Sequence, residues 1–293
     1  MQRLSSEIVT VDQALRQAAT ALRDVSETPM LDARVLMRAV LDCDETRLIV
    51  EGPTILSGQA NERFSSLLAR RLANEPVSRI LGEREFWGLM FEVTSAVLDP
   101  RSDTELLVEM ALDIVKNIET PVICDVGTGS GAIAIALLTE RPEMCAIATD
   151  ISIDALAVAS RNAHRNGIAD RFHPVQTRWL SGVKPAFDLI VSNPPYIPSH
   201  DIKTLAPDVR DHDPAMALDG GATGLDAYRA ILAGLEDEDL SRTAVLFEVG
   251  AGQASDVEQL IRERPGTNGG TFVKRRDLAG LERVVGWIPC APG

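Results

Sequence analysis

Between residues 122 and 249, short apolar runs alternate with segments of helical periodicity so regularly that few folds accommodate the chain. Runs over 122–126, 145–149, 187–192 and 244–249 have the length and apolar content of strands. Between them the spacing predicts helices over 132–139, 153–166 and 226–235, the second stopped by Gly167. Strands joined by helices imply a mostly parallel sheet covered on both faces, an α/β fold. Runs over 270–274 and 282–287 add two expected strands, an antiparallel edge pair. In such a sheet, ligands bind beyond the carboxyl ends of the strands, where the strand order reverses. The residues just after each strand are therefore the ones to read for function.

Upstream, the texture is helical. Thr10-Val11-Asp12-Gln13 has the form of a capping box, followed by Leu15, Ala18 and Leu22 at helical spacing. A second helix is expected over 31–43, with Leu31, Val35, Leu36, Ala39 and Val40 on its apolar side. Ser57 is placed to cap a third, whose Phe64, Leu67, Leu68 and Leu72 form a stripe against a solvated Arg70-Arg71 face. Segment 85–93 reads as a hairpin with Gly88 in its turn, and 99–105 leads into a helix over 106–117. The expected organisation is a helical domain over 1–75, a hairpin linker over 76–104 and an α/β domain over 105–293.

Composition narrows the function classes. No uncharged apolar run approaches the roughly 18–20 residues that a membrane helix needs. The polar opening, Met1 to Glu7, predicts no secretory signal. Four scattered cysteines without a C-x-x-C pair argue against a zinc site or a disulfide framework and fit a reducing, cytoplasmic setting. His164, His173, His200 and His212 show no metal spacing and read as surface or loop residues, so no metal is expected. A formal charge of −14 disfavours a protein that grips nucleic acid through phosphates and suits a positively charged partner.

The first strand runs into Gly127-Thr128-Gly129-Ser130-Gly131-Ala132, where glycines permit a tight turn and close backbone approach to a ligand. No Lys-Ser or Lys-Thr follows, which excludes a Walker loop; the pattern suits S-adenosylmethionine, a nicotinamide or flavin dinucleotide, or a structural turn. The second strand ends at Asp150, which reads either as an acceptor for two ribose hydroxyls or as a helix cap. The discriminating element is Asn193-Pro194-Pro195-Tyr196 after the strand over 187–192. The prolines stiffen the backbone. The Asn193 side chain and the Pro194 carbonyl offer two acceptors, and Tyr196 offers an apolar wall, a set suited to holding a planar –NH2 group. Methylation of an amide or exocyclic amine requires such directed hydrogen bonds, because the nitrogen lone pair is delocalised. Glycine loop, ribose acid and N-P-P-Y in this order point to methyl transfer onto nitrogen.

The chain resembles the release-factor glutamine N5-methyltransferases over nearly its whole length. The resemblance is carried by Arg84-Glu85-Phe86-Trp87-Gly88, by 100–105, by 125–134, by Val191 to Ile197, by Ala217-Leu218-Asp219-Gly220-Gly221, by Gly224-Leu225-Asp226 and by 277–285. It implies a Rossmann-like seven-stranded methyltransferase domain and a small N-terminal helical domain that helps dock the substrate. By the same resemblance the substrate is the glutamine of the Gly-Gly-Gln loop of peptide-chain release factors, with no direct nucleic-acid partner. S-adenosylmethionine would contact Gly127, Thr128, Gly129, Ser130, Gly131, Asp150, Trp179 and Asn193. Asn193, Pro194, Pro195 and Tyr196 would receive the glutamine. The pattern departs from the family's at Ser102, commonly proline, and at Asp99, commonly aliphatic. It departs also at Arg178, where an acid commonly accepts from the adenine amino group; an arginine cannot accept a hydrogen bond. Trp179 still offers a stacking face. N-P-P-Y also occurs in adenine-N6 methyltransferases of nucleic acids. That activity, a nicotinamide-dependent oxidoreductase and a non-catalytic binding module are the competing readings.

Overall fold

A computed structural model describes residues 9–183, 186–235, 239–267 and 269–290. The opening segment read above for a secretory signal lies outside them. The chain divides into two compact units, Met1–Gly82 and Glu83–Gly293.

Among its described residues the first unit is built from helices: α1 (Val11–Ala21), α2 (Pro29–Leu41), α3 (Glu45–Glu51), α4 (Gly58–Leu72) and α5 (Val77–Leu81). The capping box at α1 is reciprocal, with Thr10 Oγ1 accepting from the Gln13 N–H and Gln13 Oε1 accepting from the Thr10 N–H. α2 begins earlier than expected because Pro29 occupies its first turn, where its missing N–H costs nothing. Its buried face is Ala33, Leu36, Met37 and Val40, while Leu31 is exposed. α3 was not expected; it is seven residues long, capped by Asp44, and buries one residue, Leu48.

The solvated reading of Arg70-Arg71 holds for neither residue in full and fails for Arg71. Seven residues after Phe64, Arg71 returns to the same helix face and is 6% exposed. Its Nε donates to Asp32 Oδ2 at 2.7 Å and its Nη2 to the Val25 carbonyl at 2.9 Å. Arg70 pairs with Glu75, and Leu72, expected inside, is exposed.

The second unit opens with a hairpin, β1 (Glu83–Phe86) and β2 (Leu89–Glu92). Trp87 (φ 55°) and Gly88 (φ 70°) form its two-residue turn, both in the left-handed region that primed hairpin turns use. The order then runs α6 (Glu105–Val115), β3 (Val122–Val126), α7 (Ala132–Glu140), β4 (Cys145–Asp150), α8 (Ile153–Arg165), β5 (Phe172–Gln176) and β6 (Leu189–Ser192). It continues with α9 (Pro207–Arg210), α10 (Ala215–Leu218), α11 (Asp226–Ala233), β7 (Ala244–Glu248), α12 (Ala254–Arg262), β8 (Thr271–Arg276) and β9 (Glu282–Ile288).

Seven strands form one sheet in the order β5-β4-β3-β6-β7-β9-β8. The first five are mutually parallel, and β9 and β8 are antiparallel as expected. Apolar clusters cover both faces. The sheet builds outward from β3 through β4 to β5, then returns to the other side of β3 as β6. The switch point therefore lies between β3 and β6, with Asp125 opposite Val191. The glycine turn after β3 and the N-P-P-Y turn after β6 meet there by topology.

Among the described residues no helix is long and apolar enough to cross a membrane. None groups His, Cys, Asp or Glu as a metal site, and the four cysteines are unpaired.

Candidate active site

A cavity of about 820 Å³ opens at the carboxyl ends of β3, β4 and β6. Its wall brings together Gly127, Thr128, Gly129, Ser130, Asp150, Trp179, Asn193 and Pro195, with Arg178 beside them. Gly131, Pro194 and Tyr196 are not part of that wall.

The glycine turn is held from beneath. Gly127 and Thr128 both donate to the Thr149 carbonyl, at 2.8 and 2.9 Å. The Thr128 hydroxyl donates to Asp125 Oδ2 at 2.6 Å, and the Ala134 N–H reaches the same oxygen at 3.3 Å. Burial pushes the Asp125 carboxyl up to about 6 despite these two bonds. Gly127, Gly129 and Gly131 all take positive φ. At Gly131 a Cβ would also meet Ile135 of α7 and Ala159 of α8, so this glycine serves close packing of the two helices.

Asp150 accepts from the Gly129 N–H at 3.0 Å and from the Ser152 N–H at 2.8 Å. The cap of α8 is Ser152, whose Oγ accepts from Ala155. Asp150 thus anchors the glycine turn and faces the cavity, and helix capping falls to its neighbour.

Asn162 ties the turn to the hairpin, and the sequence pattern did not single it out. Wholly buried in α8, it donates to the carbonyls of Ser130 and Glu92 and accepts from the Glu92 N–H. Phe86 and Phe91 pack edge to face in the core, and Trp87 Nε1 donates to Glu140 at 2.9 Å. The Arg-Glu-Phe-Trp-Gly segment is in this way a seating device for the hairpin on the α/β unit.

The N-P-P-Y turn is clamped from three sides. Ser192 is buried and donates to the Val126 carbonyl at 2.6 Å, joining the ends of β6 and β3. Ile197 donates to the Leu218 carbonyl at 3.1 Å and accepts from the Gly220 N–H at 2.9 Å. Gln253 Nε2 donates to the Tyr196 carbonyl at 2.9 Å. At Gly220 a Cβ would strike the Pro195 carbonyl oxygen, which explains a glycine there. Burial pushes the Tyr196 hydroxyl up to about 12, keeping it protonated at neutral pH.

Two more residues belong to the site. Asn193 Nδ2 donates to Thr104 Oγ1 at 3.2 Å. Glu248, the last residue of β7, is 3% exposed, and its Oε2 is buried without a hydrogen-bond partner. Burial pushes its carboxyl up to about 7, opposed by hydrogen bonds from Thr104 and Asn193. Asp103, Arg283, Tyr196 and Tyr228 are the other charged or titratable groups that face it. An acid closing an otherwise apolar strand, Ala-Val-Leu-Phe-Glu, was the signal that could have marked it.

A pH prediction follows from that burial. An acid held above its ordinary value near 4.5 keeps its proton longer in the folded state. Its contribution therefore favours folding below about pH 4.5 and is lost as pH rises through about 7. Glu248→Gln removes the titrating group. Relative to wild type, the variant should gain on the order of 3 kcal/mol between pH 5 and pH 8 in denaturant unfolding. Parallel pH dependence in the two proteins would contradict the carboxyl's placement.

The comparisons with known proteins agree with this architecture. Residues 13–82 match the PrmC N-terminal domain and residues 97–209 the methyltransferase small domain. The release factor glutamine methyltransferase of Bradyrhizobium diazoefficiens is 44% identical, over 94% of this chain and 94% of that protein. Its counterpart from Agrobacterium fabrum is 38% identical over 88% of each. Among solved structures, the hMettl16 catalytic domain in complex with a MAT2A 3'UTR hairpin superposes with a TM-score of 0.58 at 16% identity. That match covers 76% of this chain and 81% of the other, and it speaks to the fold. With relatives of this identity along nearly its entire length, the chain belongs to the release factor glutamine methyltransferase family.

Proposed function

We propose that the protein transfers a methyl group from S-adenosylmethionine to the side-chain amide nitrogen of the glutamine in the Gly-Gly-Gln loop of peptide-chain release factors. The observation that carries this reading is the meeting, in one cavity, of the glycine turn, Asp150 and the amide of Asn193. The family membership supports the same substrate.

The residues present fit the cofactor. Glycines with positive φ line the turn, with open space where a Cβ at Gly129 would stand. Each Asp150 oxygen is used once by a backbone N–H and retains a lone pair for a ribose hydroxyl. Trp179 Nε1 is buried without a partner, and the indole stands against Gly127. Gly127 to Ser130, Asp150, Trp179 and Asn193 would hold the cofactor, with Gly131 closing the turn behind them, and when bound it supplies an electrophilic methyl group on a sulfonium. Asn193 Oδ1 and the Pro194 carbonyl accept the two amide hydrogens, which turns the nitrogen lone pair toward the methyl. Pro195 lines the cavity beside the glutamine chain, and Tyr196, outside that wall, packs against the core and backs the turn. The stiff turn holds these acceptors before the substrate arrives, so catalysis lies in orientation and directed hydrogen bonds. Methyl transfer leaves the amide nitrogen cationic while it still carries both hydrogens; that cation is strongly acidic and loses one proton to water, so no strong base is needed.

Arg178 is exposed at the cavity wall and makes no ion pair among the described residues. Arg178→Asp should therefore supply an acceptor for the adenine amino group and tighten cofactor binding modestly, by about the worth of one hydrogen bond. Calorimetry against the natural cofactor and an analogue without the amino group checks this: equal gains for both would contradict amino-group recognition.

Release factors act in the cytoplasm, and we place the protein there. The acidic chain supports a protein partner over a nucleic acid. Labelled methyl transfer tests the whole reading: label should enter an intact release factor and not duplex DNA or RNA. Label in nucleic acid together with salt-dependent duplex binding would favour the adenine-N6 activity. NADH fluorescence should not change on titration.

A further inference from the structure

We propose that Glu248 and Thr104 are positioning residues that lock the Asn193 amide with its nitrogen inward and its oxygen toward the cavity. The inference rests on the reading of Asn193 as an acceptor for the substrate amide.

An asparagine amide is nearly symmetric in shape, and a half-turn about its last bond exchanges donor for acceptor. In the wrong orientation Asn193 would present –NH2 to the –NH2 of the substrate, and no productive hydrogen bond could form. Something must break the symmetry, and the buried side of the residue does so. Asn193 Nδ2 lies 3.2 Å from Thr104 Oγ1. A hydroxyl both donates and accepts, so Thr104 alone does not decide which amide atom faces it. Glu248 decides. It ends β7, one residue beyond Phe247, which pairs with Ser192, the neighbour of Asn193 on β6. The Tyr228 hydroxyl fixes the backbone there, donating to the Glu248 carbonyl at 2.9 Å.

Above about pH 7 the Glu248 carboxyl is ionised and only accepts, and the test is made in that range. The carboxylate faces Thr104 and Asn193, and a Thr104 hydroxyl that points its proton at it keeps a lone pair for Asn193 Nδ2, 3.2 Å away. Only with the nitrogen inward does the Asn193 amide present a donor to these two oxygen-bearing groups. The reverse would press Asn193 Oδ1 against a buried carboxyl whose Oε2 has no partner within hydrogen-bond distance. Retaining a nearly inaccessible acid here costs solvation, which is intelligible if the acid sets the orientation of the amide.

The test uses the full chain with an intact release factor. Thr104→Val and Glu248→Leu remove the two inward partners. Single-turnover methyl transfer should fall about tenfold or more in each, the loss expected for a misdirected hydrogen bond, while calorimetric cofactor affinity stays within about threefold. Thr104→Ser preserves the hydroxyl and should recover most of the rate, whereas Glu248→Gln, whose amide can donate as well as accept, should recover only part of it. Asn193→Ala is measured beside them. If it is slow while Thr104→Val and Glu248→Leu transfer normally, the locking role is overturned and the reading of Asn193 stands. If Asn193→Ala transfers normally, both fall. Should Glu248→Leu not fold, the wild-type protein still decides. With asparagine nitrogens labelled, the Asn193 side-chain resonance, assigned by its loss in Asn193→Ala, should show amide protons protected from exchange. Exchange at the rate of a free amide would overturn the proposal.

Discussion

Asn193→Ala should bind S-adenosylmethionine nearly as well as wild type and transfer its methyl group roughly 10²–10³ times more slowly. The substitution leaves the glycine turn, Asp150 and Trp179 in place, and these carry most of the cofactor contacts on this reading. It removes the side-chain acceptor that turns the nitrogen lone pair toward the sulfonium. Loss of one preorganised hydrogen bond to a developing transition state costs about 2.7–4 kcal/mol. Asn193→Asp is a sharper version: it keeps shape and acceptor but adds a negative charge and loses the donor to Thr104. It should bind cofactor yet transfer slowly. The measurements are single-turnover transfer and calorimetric affinity on the same preparations, and near-normal transfer by Asn193→Ala would remove the turn from the chemistry.

Asp150→Ala should lower cofactor affinity roughly ten- to a hundredfold. Charge-assisted hydrogen bonds are worth on the order of 1.5–3 kcal/mol, and two ribose hydroxyls lose their acceptor together. The structure adds a second cause, since the Gly129 N–H loses the carboxylate that fixes the turn. α8 itself should persist, because Ser152 remains to cap it. Unchanged affinity by calorimetry would show that Asp150 serves only the backbone around it.

How much of this was legible in the residues depends on how much of each element is buried. Strands such as 122–126 stand where the pattern places them, because a parallel strand covered on both faces is apolar at nearly every position, Asp125 being the exception here. β5 escaped the reading: Phe-His-Pro-Val-Gln buries one residue at the sheet edge, where proline is tolerated and the apolar signal disappears. α12 has no counterpart in the sequence expectations, although Ala254, Val257 and Ile261 mark a buried stripe at helical spacing. Arg71 was misjudged by its chemistry: its charge argued for solvent, and its helical phase and the distant Asp32 argued for burial.

The site divides in the same manner. Glycine turn, Asp150 and Asn193-Pro194-Pro195-Tyr196 were visible because each is a local pattern at a strand end. Glu248, Thr104 and Asn162 were not, because their meaning comes from partners far along the chain. Thr104 lies 89 positions from Asn193, and no local spacing reports that pair. Arg178 is one of the three departures expected from the family's pattern, with Ser102 and Asp99, and the tightening expected of Arg178→Asp measures its cost.

The most direct test of the account is fragment mass spectrometry on an intact release factor incubated with the protein and S-adenosylmethionine. The account predicts a single added methyl group, located on the side-chain amide of the glutamine in the Gly-Gly-Gln loop, and its near absence with Asn193→Ala. An unmodified glutamine, or a methyl group found on another residue, would contradict it.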